Sequence, residues 1–199
     1  PLLLDLPGGL KIYYKNLSNI NEKRQCYRKL VNFLRVLPFE ARNTVIKKLY
    51  LQTHQNFESS KRSVLQPKEI KKMLSSGLVS LGTHTVTHRA LGYGITKKEL
   101  KFEIMQPIND IKDVFDYRPF AISLPFGIFK KSTLQVIKDA GYKMLFTTFA
   151  RPNPPQRIIN GIVIMDRVSI GTNDDKAAFW VKVSGLYGLL RHKRRRFET

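Results

Sequence analysis

The stretch Leu78-Val79-Ser80-Leu81-Gly82-Thr83-His84-Thr85-Val86-Thr87-His88 decides how this chain is read. Its first four residues predict a short buried strand, and Gly82 permits a sharp exit from it. Two histidines four positions apart fall on one face of a helical turn, close enough to share a metal ion. Strand ends are also where α/β folds gather their chemistry. On spacing alone, a pair of exposed or core histidines fits equally well.

Working outward, Pro67 suits the first turn of a helix through Leu74, which Gly77 can terminate. Downstream, Lys97 to Phe115 predicts a helix kinked at Pro107. Phe120 to Leu124, Met144 to Thr148 and Gly161 to Met165 read as strands, with a helix from Lys131 to Ala140. Strands alternating with helices predict a parallel α/β arrangement. Upstream, residues 2–14 read as two short strands around the turn Pro7-Gly8-Gly9. A helical stripe of Tyr27, Leu30, Val31, Leu34 and Leu37 ends at Pro38, and a second runs through Ala41, Val45 and Leu49. These two helices carry no convergent polar residues and predict packing only.

The composition bounds the answer. At 199 residues and 42% hydrophobic, the chain can bury one sizeable core and is no disordered polymer. No apolar run is long enough to span a bilayer. Cys26 is the lone cysteine, which excludes an internal disulfide framework. Pro1 opens the chain without a charged-then-apolar leader, so it reads as a fragment or processed product. The net charge of +20 favours anionic partners. In the last segment Phe179, Val183, Leu186 and Leu190 share a stripe, with Trp180 and Tyr187 beside it. Two readings stand: a terminal helix docked on the core, or an interfacial helix whose basic end, Arg191-His192-Lys193-Arg194-Arg195-Arg196, rests on an anionic membrane surface. No recognised nucleic-acid motif accompanies that tail, so nucleic acid is not the expected partner.

Three motifs in order carry a resemblance. Gly82-Thr83-His84-Thr85-Val86-Thr87-His88-Arg89-Ala90-Leu91 resembles the His-Ser/Thr-x-x-His motif of the NodB-like polysaccharide deacetylases, carbohydrate esterase family four. Leu124-Pro125-Phe126-Gly127 resembles that family's Pro-Tyr/Phe-Gly motif, followed by a helix and Ala140-Gly141-Tyr142. Met165-Asp166-Arg167-Val168 is similar to the late Leu-Pro-Arg-Ile segment of one branch.

The resemblance implies a distorted, incomplete β/α barrel. It implies a hydrolase acting on non-peptide C–N bonds, releasing acetate from an N-acetylated polysaccharide with a divalent metal. His84 and His88 would be metal ligands, Pro125, Phe126 and Gly127 would line the substrate groove, and the Phe126 N–H would bind the oxyanion. By ligand type the metal is expected to be zinc, with cobalt, nickel and iron also compatible. Thr85 and Thr87 are expected to support the loop through short hydroxyl bonds. Family membership suggests the cell envelope or an extracytoplasmic location.

The departures are informative. The family's Asp-Asp motif, which supplies the third ligand and the base, is absent. Asp5 reads as a hairpin residue, and helix N-capping explains Asp174-Asp175. The first β-α-β unit is therefore expected upstream of Pro1, and this fragment is expected to be inactive. Ser123 stands where many members have an Arg, and His192 in the tail is no match for the late catalytic His. Arg167 is a candidate to compensate, or equally a structural ion-pair partner; His54 reads as surface. The expected layout is residues 1–65 as a hairpin and helical insertion of the same domain, 66–175 as the barrel core, and 176–199 as an amphipathic helix with basic tail. A catalytically silent glycan-binding or scaffold protein on the same fold is the rival reading.

Overall fold

A computed structural model describes residues 2–5, 11–14, 17–53, 64–149 and 157–188. The turn at residues 7–9, His54 with the linker after it, Leu190 and the basic tail with His192 lie outside them. The chain divides into two compact units, residues 1–66 and 67–199.

In the first unit, β1 (Leu2–Asp5) pairs antiparallel with β2 (Lys11–Tyr14), setting Asp5 opposite Lys11. Helix α1 (Ile20–Leu34) starts at Asn19, whose Oδ1 accepts from the Asn21 N–H at 2.7 Å and so satisfies an orphan donor of the first turn. Pro38 separates it from α2 (Phe39–Thr53). Cys26 and Val45 are the buried centre, packed by Leu30, Phe33, Leu34, Leu37 and Leu49. The expected stripe is shifted by one residue. Tyr27 is 67% exposed and Cys26 faces inward instead, because Cys26 lies one turn before Leu30 and seven residues before Phe33. Burial pushes the Cys26 thiol above its ordinary pKa, against a smaller lowering by Lys29.

The second unit holds a four-stranded sheet in the order β3-β4-β6-β5. Strands β3 (Ala121–Ser123), β4 (Met144–Thr147) and β6 (Ile162–Asp166) run parallel, and β5 (Ile158–Ile159) pairs antiparallel with β6. Short strands and a partial sheet make this the incomplete α/β barrel the sequence predicts. Helices α4 (Lys97–Phe115) and α5 (Lys131–Asp139) complete the core of the unit, while α3 (Pro67–Ser75) buries no residue. A capping box at Thr96 and Glu99 fixes the start of α4, and the helix runs on through buried Pro107.

The register aligns Ile122, Leu145 and Ile164 across the sheet. All three are buried in one cluster with Leu100, Ile104 and Ile108 of α4 and Leu134 and Ile137 of α5. Each such side chain contributes roughly 1.5–3 kcal/mol when fully buried. Their neighbours Ser123, Met144, Phe146, Val163 and Met165 point to the opposite face and are only half-buried.

One expectation needs correction. Leu78 to Leu81 form no strand: the ladder there is the single parallel bridge between Thr83 and Ile122, and Leu78 is 91% exposed. The bonds that hold it run from the Thr83 N–H to the Ala121 carbonyl (3.0 Å) and from the Ser123 N–H to the Thr83 carbonyl (2.9 Å). Contact with β3 thus begins only at the C-terminal end of that stretch. Helix α6 (Lys176–Val183) contributes no buried residue, and its Lys182 Nζ donates to the Ser169 carbonyl at 3.1 Å and pairs with Asp174 at 2.5 Å. Phe179 and Trp180 meet each other edge to face at 5.6 Å, and Gly185, at φ 83°, turns the chain just beyond. Asp175 caps it, accepting from the Ala178 N–H at 2.7 Å.

Candidate functional site

The loop from His84 to His88 leaves the bridged Thr83, which is itself pinned from below. The Tyr142 hydroxyl donates to the Ile104 carbonyl at 3.0 Å, so its oxygen accepts from Thr83 Oγ1 at 2.7 Å. Burial of that phenol pushes its pKa up to about 12, opposed by the bond from Thr83 and the charge of Arg118. One buried relay therefore ties the histidine segment to α4.

The loop is not the helical turn that the spacing suggests. Thr85 and His88 both take left-handed backbone, φ 65° and 57°. Four bonds compensate: the His88 N–H donates to Thr85 Oγ1 at 3.1 Å, and Glu103 of α4 accepts three from the loop. Its Oε2 takes the Val86 N–H at 3.0 Å and the Thr87 N–H at 2.9 Å, while Oε1 takes the Thr87 hydroxyl at 2.5 Å. Thr85 thus bonds within the loop, to backbone, while Thr87 ties the loop to α4.

The imidazoles nevertheless meet. The ring centroids of His84 and His88 are 4.8 Å apart at 74°, and the His88 ring stands 5.0 Å from that of Phe126 at 79°. His84 Nδ1 lies 2.6 Å from the Ser123 carbonyl oxygen. A carbonyl only accepts, so Nδ1 carries the proton and the Nε2 lone pair of the neutral ring is left for a ligand. This is the donor arrangement of a metal-binding histidine. Among the described residues, however, no group of three or more His, Cys, Asp or Glu could hold a metal ion. The two imidazoles suit a divalent cation as part of a ligand set whose third His, Cys, Asp or Glu is not among the described residues.

Pro125–Gly127 form a single 3-10 turn after β3, and Phe126 inside it adopts φ 58°. The Thr148 hydroxyl donates to the Phe126 carbonyl at 3.0 Å, which faces that carbonyl towards β4. The Phe126 N–H finds no acceptor among the described residues. Three non-glycine residues in left-handed backbone, Thr85, His88 and Phe126, therefore converge here, each costing about 1 kcal/mol or more.

Beside them a pocket of about 460 Å³ opens on the half-buried face of the sheet, lined by His84, Ser123, Phe146 and Arg167 among others. Ser123 Oγ is buried there without a hydrogen-bond partner. Arg167 Nε donates to the Thr147 carbonyl at 3.3 Å, which sets the guanidinium at the pocket wall. The preceding Asp166 is buried and serves structure, accepting from the Thr147 hydroxyl and pairing with Arg157 at 2.8 Å. The sequence reading missed Glu103. Its signal was an acid set among Leu100, Ile104 and Ile108 on the buried side of α4.

Comparisons with known proteins follow the same line. Residues 19–145 match the sequence profile of the family described as polysaccharide deacetylase. No curated protein sequence gives a significant match. Among solved structures, the chain is similar to the Streptococcus pyogenes deacetylase PplD in complex with acetate, at 20% identity and TM-score 0.52 over 70% of this chain and 63% of that one. It is similar to IcaB from Ammonifex degensii at 16% identity and TM-score 0.48, covering 71% and 68% of the two chains. A polysaccharide deacetylase from Bacillus cereus gives 18% identity and TM-score 0.47 over 86% and 65%. The chain spans less than two thirds of the streptococcal and Bacillus structures.

Proposed function

Because the chain belongs to the polysaccharide deacetylase family, we propose that it serves metal-dependent hydrolysis of acetamide groups on an N-acetylated polysaccharide. The observation that carries this reading is the pair of imidazoles, 4.8 Å apart beside Phe126 with His84 Nδ1 engaged by the Ser123 carbonyl. His84 and His88 would hold the cation, zinc by ligand type. A bound divalent cation supplies acidified water and polarises a carbonyl.

The protein's own groups do the rest. The Ser123 carbonyl holds the His84 ring in one tautomer, and Glu103 keeps the loop closed behind it. The Phe126 N–H would donate to the oxygen that gains charge as the acetamide carbonyl is attacked. Arg167 contributes positive charge at the pocket wall. Water would add its oxygen to the carbonyl carbon and, as the C–N bond breaks, its protons would pass to the departing nitrogen, giving acetate and a glycan amine. No carboxylate joins the imidazoles among the described residues, so the chain alone is expected to hold metal weakly and release little acetate.

Zinc titration followed on the histidine ring resonances, with acetate release from N-acetylated glucan oligomers in parallel, tests the proposal. Zinc is expected to shift His84 and His88 together. Equal zinc binding by the His84→Ala/His88→Ala double variant would refute the metal role. The lack of a third ligand, a carboxylate, among the described residues favours a second reading, a silent glycan binder; glycan binding with no acetate release by the zinc-loaded protein would support it.

A further inference from the structure

We infer that Glu103 is a positioning residue that sets the separation of the two imidazoles from outside the site; this rests on the reading of His84 and His88 as a metal pair. Every donor it engages lies between them in sequence: Val86 N–H, Thr87 N–H and the Thr87 hydroxyl. Five residues with left-handed backbone at both Thr85 and His88 do not hold that shape unaided, since the strain exceeds what the single Thr85–His88 bond returns. The carboxylate closes the turn by drawing its two middle amides onto one oxygen.

The location of Glu103 says the same. It is 4% exposed on the α4 face that packs into the core between Leu100, Ile104 and Ile108. A carboxylate there is costly unless fully bonded, and a leucine would pack with less penalty. Its bonds all go to the histidine loop, so the acid is placed for the loop and not for the helix. The second tie from α4, Ile104 carbonyl to Tyr142 to Thr83, fixes the start of the same segment. Thus one helix sets both the entry and the curvature of the loop that carries the rings.

Glu103→Ala removes all three bonds. Glu103→Gln keeps the shape: its carbonyl oxygen accepts both amides and its NH₂ can donate to the Thr87 hydroxyl, without the charge. The variants are compared with wild type by amide exchange at Val86 and Thr87, by the His84–His88 ring NOE, and by zinc affinity. In Glu103→Gln, exchange at both amides should quicken about 10-fold, since charge-assisted bonds are roughly twice as strong as neutral ones. Zinc affinity should fall in both variants, by roughly 10-fold or more in Glu103→Ala. Ile137→Val, a core change on α5 away from the loop, controls for lost stability and should leave zinc affinity unchanged. Wild-type exchange at Val86 and Thr87 together with wild-type zinc affinity in Glu103→Gln would overturn the inference even if the alanine variant fails to fold, as would a wild-type ring NOE in folded Glu103→Ala. If wild type binds no zinc, the metal reading fails, while exchange and the ring NOE still decide whether Glu103 positions the rings.

Discussion

Replacing Gly127 by Ala gives the sharpest test of how the turn beside the histidines is built. Gly127 sits at φ 68°, and a Cβ there would collide with the Thr148 side chain and lie 3.0 Å from the Thr148 backbone nitrogen. Thr148 cannot swing aside freely, because its hydroxyl holds the Phe126 carbonyl at 3.0 Å. Left-handed backbone costs an alanine about 1–2 kcal/mol, and forcing a methyl into a filled site adds about 1–3 kcal/mol. The sum is roughly 2–5 kcal/mol. Gly77 is the matched control: φ 73°, with nothing within 4 Å of an added Cβ, so Gly77→Ala carries the backbone cost alone. Urea unfolding of both variants separates the terms, with midpoint shifts at unchanged m-value reporting stability. Gly127→Ala should lose at least about 1 kcal/mol more than Gly77→Ala. Equal losses would refute the close packing of the Pro125–Gly127 turn against β4.

Three further outcomes follow from two buried groups. Tyr142→Phe leaves the Thr83 hydroxyl and the Ile104 carbonyl without their shared partner and should destabilise the fold by about 1–3 kcal/mol, read by thermal unfolding; a wild-type midpoint would refute the relay. The phenol's folded-state pKa of about 12 lies above its ordinary value of 10.0, so its contribution is full below pH 10 and is lost as pH rises towards 12. Wild-type stability should therefore fall over that window by more than that of Tyr142→Phe, and parallel pH profiles would contradict the assignment. Cys26, buried and raised in pKa, should react slowly with a thiol reagent at pH 8 until the first unit unfolds; immediate labelling would place it at the surface.

The short apolar runs that became β3, β4 and β6 were readable because strands buried on a helix-packed face carry an unbroken apolar signal. The histidine pair was readable from its spacing, but the conformation between the rings was not. Left-handed backbone at Thr85 and His88 depends on Glu103, and the His84 ring depends on Ser123, contacts 16 and 39 positions away along the chain. Tyr142 bonds Thr83 across 59 positions, beyond any local pattern. The strand expected before Thr83 did not form, for a plain reason. Apolar periodicity reports what a segment could bury, not whether a partner stands beside it.

The sheet is tightly packed against helices on one side, while Ser123, Met144, Phe146, Val163 and Met165 meet solvent on the other. Greasy surface of that kind invites molecules to stick to each other, and the charge of +20 is what drives them apart. Ions cut the range of that repulsion from about 30 Å at 0.01 M to about 3 Å at 1 M. Concentrated brine should therefore make this protein cluster, whereas dilute buffer keeps it dispersed.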